Sequence, residues 1–255
     1  MQAKLSNVIP VFIIVLVASL SAGLLPRVLP AVQVLENWLS DFRFATLAQP
    51  MAQDDRIVIA TITEETLATF PYRSPVDRGF LARLLKTLGT YGVRAVGIDI
   101  LFDQPTEPSK DKALRQAILD FPAPVIVAHA DKIDSLTDEQ LTFQREFTKG
   151  MTKGLAIFPV SFDGVVRRIP AGRRDPITGK IRPAFAGAIV STLGIPPIRD
   201  IKLAYRQPPN PGTTAFRGQQ AQLAPILPKS TTSLRLNAQQ KCNAVCLNTW
   251  NIKTP

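Results

Sequence analysis

From Val8 to Leu25 the chain runs for about 18 residues without a charge, and only Ser19 and Ser21 interrupt its apolar side chains. That is near the minimum needed to cross a hydrocarbon core of about 30 Å. Lys4 precedes the stretch and Pro26-Arg27 come after it. Flanks this evenly charged orient the segment weakly, and a cytoplasmic N-terminus is the expectation. A cleavable signal peptide is the rival reading, because Ser19-Leu20-Ser21 with Ala22 and Gly23 supplies small residues for a cleavage site. Both readings export the remainder of the chain. A buried helix of a soluble domain fits less well, because no polar face is present.

Beyond Pro30 the apolar positions Val32, Leu35, Trp38 and Leu39 fall at helical spacing. Arg56 to Ile62 is a short β-branched run bounded by acidic residues, as expected for a strand covered on both faces. Ser74, Pro75 and Asp77 resemble a helix start, with Ser74 as cap. Phe80, Leu81, Leu84, Leu85 and Leu88 then form one stripe that Gly89 or Gly92 ends. Val93 to Phe102 reads as a second strand. A second cap at Ser109, a helix through Leu119 and a strand from Pro124 to His129 repeat the unit. Strand, helix and strand in this order with short joins argue for right-handed parallel crossovers. The expected fold class is therefore α/β, a mostly parallel sheet with flanking helices, preceded by one transmembrane helix. Further on, Gly154 to Ser161 and Val165 to Ile169 read as two strands joined at Asp163-Gly164. From Pro208 onward, frequent Pro, Gln, Asn and Thr leave no sustained period. The expected divisions are residues 1–30 as the anchor or signal segment, 31–216 as the α/β domain and 217–255 as a poorly ordered tail.

Charge changes this picture little. The net charge of +10 is concentrated after Lys180, where basic residues stand singly among Pro, Gln and Thr. Without a helical face or interleaved aromatics they read as a solvated tail rather than a nucleic-acid or lipid surface, and no nucleic-acid partner is expected. Arg167, Arg168, Arg173 and Arg174 read likewise as a solvated hairpin rim. Cys242 and Cys246 are the only cysteines. Their spacing lacks the second ligand pair of a structural zinc site, which leaves a local disulfide or no role.

Several segments together carry a resemblance: Asp41-Phe42-Arg43-Phe44 after the apolar stretch; Asp55-Arg56-Ile57-Val58-Ile59 leading to Thr63-Glu64-Glu65-Thr66-Leu67; and Arg78-Gly79-Phe80-Leu81-Ala82-Arg83-Leu84-Leu85. Gly92-Val93-Arg94-Ala95-Val96-Gly97-Ile98-Asp99-Ile100-Leu101-Phe102-Asp103 and Asp163-Gly164-Val165-Val166-Arg167-Arg168-Ile169-Pro170 come next in order. Over roughly Asp41 to Phe216 the chain resembles a CHASE domain of the second type, an extracellular sensory module joined to bacterial cyclases and histidine kinases. The resemblance implies a sensor rather than a catalyst, signalling as a homodimer. Such domains usually continue with a further apolar strand, membrane helices and an output domain. Here the chain runs instead into Gln220 to Pro255, as a truncated or frame-shifted receptor would. Phe70-Pro71-Tyr72-Arg73 stands where the family often has tryptophans around a proline.

In an open parallel sheet, ligands bind beyond the C-terminal strand ends. This rule selects Glu64, Tyr72, Arg73, Asp99, Asp103 and His129 as ligand-binding candidates. Asp99, Asp103 and Glu64 could hold a hard cation, or Arg73 an anion. Each also has a plain structural reading: Asp99 in an internal pair, Asp103 capping a turn, His129 as a polar residue at a strand end. Thr63-Glu64-Glu65 replaces a glycine-rich phosphate loop, and no Gly-x-Ser-x-Gly elbow occurs. The expectation is a single-pass membrane-anchored extracytoplasmic sensory domain that binds an unknown small ligand or reports an envelope condition. It needs no cofactor. The alternatives are an exported metal-dependent hydrolase using Asp99 and Asp103, or a non-functional receptor remnant.

Overall fold

A computed structural model describes residues 3–47, 49–52, 54–175, 178–196, 200–202, 216–220 and 244–248. They form two compact units. The first, Met1–Met51, contains helices α1 (Ala3–Val28) and α2 (Pro30–Leu47). α2 restarts at Leu29, whose carbonyl accepts from the amides of Val32 and Gln33 at 3.1 and 3.3 Å. Pro30 stands next, at a first-turn position where no amide is needed. Trp38 stacks on Phe42 one turn later, with ring centroids 5.7 Å apart. α2 thus belongs to the same unit as α1, not to the α/β domain where residues 31–47 were expected. α1 exposes Ile9, Phe12, Ile14 and Val17. Among the described residues no helix is long and apolar enough to cross a membrane.

The second unit is the α/β domain. Its sheet has six parallel strands in the order β4-β3-β2-β10-β1-β9. These are β1 (Asp54–Thr61), β2 (Val96–Asp99), β3 (Val125–His129), β4 (Thr152–Leu155), β9 (Phe216–Gln220) and β10 (Ala244–Asn248). α3 (Glu64–Leu67) and α4 (Arg78–Gly89) connect β1 to β2, α5 (Pro108–Leu119) connects β2 to β3, and α6 (Asp138–Phe147) connects β3 to β4. Alternation along the strands splits their side chains between two layers. Val58, Ala60, Val96, Ile98, Val125 and Val127 face the α4 stripe, where Leu81 and Leu85 are fully buried. Burial of such a leucine is worth about 1.5–3 kcal/mol. Ala95 and Ile126 face the other way, against Ala188 and Ile189 of α7 (Phe185–Thr192). That layer is close-packed because β2 and β4 carry glycines there. A Cβ on Gly154 would lie 2.5 Å from the Phe185 Cα, and one on Gly97 would lie 2.7 Å from Ile189 Cδ1.

Three expectations change. First, within the expected tail of residues 217–255, β9 borders β1 and β10 lies between β1 and β2, while residues 221–243 and 249–255 lie outside the described residues. The five-residue run Ala-Val-Cys-Leu-Asn is too short to register as a period among its polar neighbours, and sheet pairing rather than local preference defines it. Cys246 lies in β10 opposite Gly97 and Ile59, while Cys242 falls outside the described residues.

Second, both predicted caps shift. Asp77, not Ser74, caps α4 by accepting from the Phe80 amide at 2.7 Å, and the Ser74–Pro75 peptide is cis. Glu107, not Ser109, precedes α5, with Pro108 at its first position. Third, the predicted strand from Gly154 to Ser161 is β4, which ends at Leu155. Past it, Asp163-Gly164 does turn the chain: Gly164 has φ +80°, the Ser161 amide donates to Val165 at 3.0 Å, and Val160 bridges Val166. The second predicted strand is reduced to β5 (Arg168–Ile169), which pairs with β8 (Ile201–Lys202). β6 (Gly172–Arg174) and β7 (Ile181–Pro183) form a separate hairpin.

Candidate functional site

The C-terminal ends of β2, β3 and β4 open into a cleft of about 500 Å³. Its lining includes small residues at or just past strand ends, Ala128, Ala130 and Ala156, together with Pro75, Val76 and Phe158. Phe158 is 58% exposed. Side chains of alanine size leave the space open.

Asp99 and Asp103 both line this cleft. Asp99 is the last residue of β2, and burial alone pushes its carboxyl above the ordinary range. Among the described residues it makes no hydrogen bond or ion pair. Asp103 accepts from Gln140 Nε2 at 2.8 Å. Asp134, a third lining carboxylate that sequence reasoning missed, is held by Arg173 at 2.8 Å and kept below the usual carboxylate range chiefly by that hydrogen bond.

Arg78 is the cleft's one basic lining residue, and in the sequence it stands out only as part of a segment that carries the family resemblance. It is 2% exposed and donates to Asp111 at 2.7 Å and to the Gln104 carbonyl. Its guanidinium also lies 5.3, 5.2 and 4.6 Å from the ring centroids of Phe102, Phe143 and Phe147. Desolvation pulls its pKa down against the opposing pull of Asp111. The charge of Arg78 is thus engaged by a carboxylate, a carbonyl and three ring faces, of which Gln104 and Phe102 also line the cleft. No sequence signal places Phe143 and Phe147 over a residue so far back in the chain.

The other four candidates do not line the cleft. Glu64 and Arg73 pair with each other at 3.2 Å on the surface, with side chains 54% and 68% exposed, where a pair contributes little. Tyr72 donates to Glu107 at 2.7 Å beside Lys110, which reaches Glu107 at 2.8 Å and Asp77 at 2.6 Å. The hydrogen bonds from Lys110 and then Tyr72 hold the Glu107 carboxyl down to about 2, while the bond to Glu107 raises the Tyr72 hydroxyl. This network ties the loop before α4 to α5. It also explains why Glu107 makes no side-chain cap at α5. Phe70, from the segment that departs from the family's tryptophans, packs on Phe80 with centroids 5.1 Å apart.

His129 sits between Ala128 and Ala130, and the pleat turns it out of the cleft they line. Its Nε2 is 3.8 Å from Asp131, its Nδ1 is buried without a partner, and burial followed by the field of Lys153 favours the neutral ring. Asp131 is held instead by Arg182 at 2.6 Å and Arg173 at 3.1 Å, which fasten the β6–β7 hairpin to the end of β3. The basic rim expectation is corrected for Arg167 and Arg173, whereas Arg168 and Arg174 are exposed as a solvated rim requires. Arg167 is buried against Asp163 in a two-toothed pair at 2.7 Å, and Arg173 is part of the cross-link. These arginines face carboxylates that bring them out of solvent. Asp99, Asp103 and Glu64 do not assemble into a cation site, because Glu64 lies off the cleft, and no group of three His, Cys, Asp or Glu among the described residues could hold a metal.

A family model described as the CHASE2 domain matches residues 11–248. The chain belongs to the CHASE2 family. The match ends on the last residue of β10, so the family's domain includes the central strand that the sequence reading had left in the tail. CHASE2 domains are extracellular sensory domains of signalling proteins. No curated protein and no solved structure matches the chain.

Proposed function

We propose that this CHASE2 chain is the extracytoplasmic, ligand-binding part of a membrane-anchored bacterial receptor. The single observation that carries the reading is the cleft at the C-terminal edge of the sheet, where Asp99 presents a carboxyl that nothing else among the described residues engages. A parallel sheet places ligands at this edge, and cavities of roughly 300–1,000 Å³ suit small molecules. Asp99 and Asp103 are the two sequence candidates that would touch the ligand. A single pass through α1 would anchor the chain; the charge-free run from Val8 to Leu25 and the exposed Ile9, Phe12 and Ile14 support it. Ligand binding would shift the population of two arrangements of a homodimer, and the shift is bounded by the ligand's difference in affinity for them. The hydrolase alternative gains no support, since Asp99 and Asp103 belong to no group of three His, Cys, Asp or Glu among the described residues that could hold a metal.

The test is a thermal-shift screen of the full chain in detergent against small envelope metabolites, run in parallel on Ala156→Phe, which puts a large side chain in the cleft lining. Compounds that stabilise the wild type and leave Ala156→Phe unmoved support the reading. Compounds that stabilise both equally refute the cleft as the site. Fusing to the C-terminus a reporter that is active only outside the cytoplasm checks the topology: an inactive reporter would overturn the extracytoplasmic placement.

A further inference from the structure

The cleft's lining specifies a ligand class. Three carboxylates border it, and the one guanidinium among them is held by Asp111 and three phenylalanine rings. Asp134 is paired with Arg173 and Asp103 accepts a hydrogen bond from the neutral Gln140, which leaves Asp99 as the lining carboxylate that no described side chain engages. Phe158 adds a 58% exposed ring to the same cleft, and the apolar surfaces of Val76 and Phe102 complete the lining. A carboxylate and an aromatic face in one partly desolvated cavity is the pairing that attracts ammonium and guanidinium groups. An anion would meet three carboxylates there. A neutral apolar ligand would leave Asp99 desolvated and unmatched, a cost that selects against it.

We propose that the cleft takes a small organic cation, with its charged nitrogen held by Asp99 and its alkyl or N-methyl groups against Phe158. This rests on the cleft being the ligand site.

The experiment measures melting of the full chain in detergent with choline, with agmatine, with 3,3-dimethylbutan-1-ol as choline's neutral counterpart in shape, and with acetate. At least one cation is expected to raise the melting temperature in a saturable way, while the neutral alcohol and acetate do not. Asp99→Asn is expected to weaken the cation roughly tenfold or more, and Phe158→Leu roughly two- to five-fold. Absence of stabilisation by both cations, equal stabilisation by the neutral alcohol, or a cation effect unchanged in Asp99→Asn overturns the proposal. If Asp99→Asn does not fold, Phe158→Leu and the choline-to-alcohol comparison in the wild type decide. Ala156→Phe separates the two levels of inference. A neutral or anionic probe that binds and is lost in Ala156→Phe leaves the cleft standing and removes only the cation. A cation whose effect survives Ala156→Phe removes both.

Discussion

Replacing Arg78 by Met removes a charge while keeping most of the side chain's length, and the structure sets the size of the response. The guanidinium is 2% exposed, pairs with Asp111 at 2.7 Å, donates to the Gln104 carbonyl and lies within 5.3 Å of three ring centroids. Solvent screening gives no relief at that burial. Asp111 would keep only its contacts with the Thr106 amide and hydroxyl, and would become a buried carboxylate without its cation. Removing one member of a buried pair costs about 3–5 kcal/mol. The three rings share one cation, so their contributions fall within that figure rather than adding to it. Against a total stability of about 5–15 kcal/mol the loss is large. At about 2–4 °C per kcal/mol for a domain of this size, the melting temperature should fall by roughly 6–20 °C. Circular dichroism melts of wild type, Arg78→Met, Asp111→Asn and the double variant read both the loss and the coupling. The double variant should be less damaged than the two single losses added together. A fall of under about 2 °C in Arg78→Met, or strict additivity in the cycle, would refute the assignment of Arg78 as a structural cation.

Asp99→Asn should raise the melting temperature at neutral pH. Burial lifts the folded-state pKa of Asp99, so its ionisation opposes folding, and the gain should shrink as pH falls through that raised value toward the unfolded one; a pH series of melts with no gain at pH 7 contradicts this. Glu107 should remain ionised down to about 2 by carboxyl ¹³C chemical shifts. Its contribution to stability is present above its unfolded pKa and is lost as pH falls toward about 2, and Lys110→Met should return its titration toward the ordinary range. Gly154→Ala should cost about 1–3 kcal/mol, and more than Gly97→Ala, because the obstacle is the Phe185 backbone in the first case and the flexible end of Ile189 in the second. Equal melting temperatures for the two variants would count against that ordering.

The parts of the fold that were legible in sequence are those whose information is local. The alternation of β-branched runs with the Phe80–Leu88 stripe led to β1, β2, β3, α4 and α5 and to their parallel order, because a buried strand and a one-sided helix each carry their own period. Cap positions slipped by two or three residues where a side chain was engaged at long range, as Glu107 is by Tyr72 and Asp77 by Lys110. The candidate cleft was legible in part. The rule that ligands lie beyond strand ends selects Asp99 and Asp103, which line the cleft, and also His129, which does not. It took in Glu64, Tyr72 and Arg73 as well, because sequence gives the neighbourhood of a strand end but not the direction of the loop that leaves it. Arg78 and Asp134 were missed for one shared reason: their partners, Phe147 and Arg173, come from much later in the chain.

The sheet order has a consequence that no local pattern carries. β10 is the last strand among the described residues, yet it supplies the ladder on both sides of the domain's centre, pairing with β1 over Ile57 to Thr61 and with β2 over Val96 to Asp99. Until residues 244–248 arrive, β1 and β2 have no described backbone pairing with each other, and the α4 stripe spans two sheet fragments. The two ladders hold nine residue pairs, and at about 0.5–1.5 kcal/mol net per hydrogen bond their loss is comparable with the whole stability of about 5–15 kcal/mol. A chain ending at residue 243 should therefore lose its cooperative melt, and the amides of β1 should exchange at rates near those of an unfolded chain. The opened edges of β1 and β2 would offer unpaired backbone to other copies, so the shortened chain should also aggregate. If it instead melts cooperatively at the wild-type temperature with β1 still protected, β10 is not the strand that joins the two halves of the sheet.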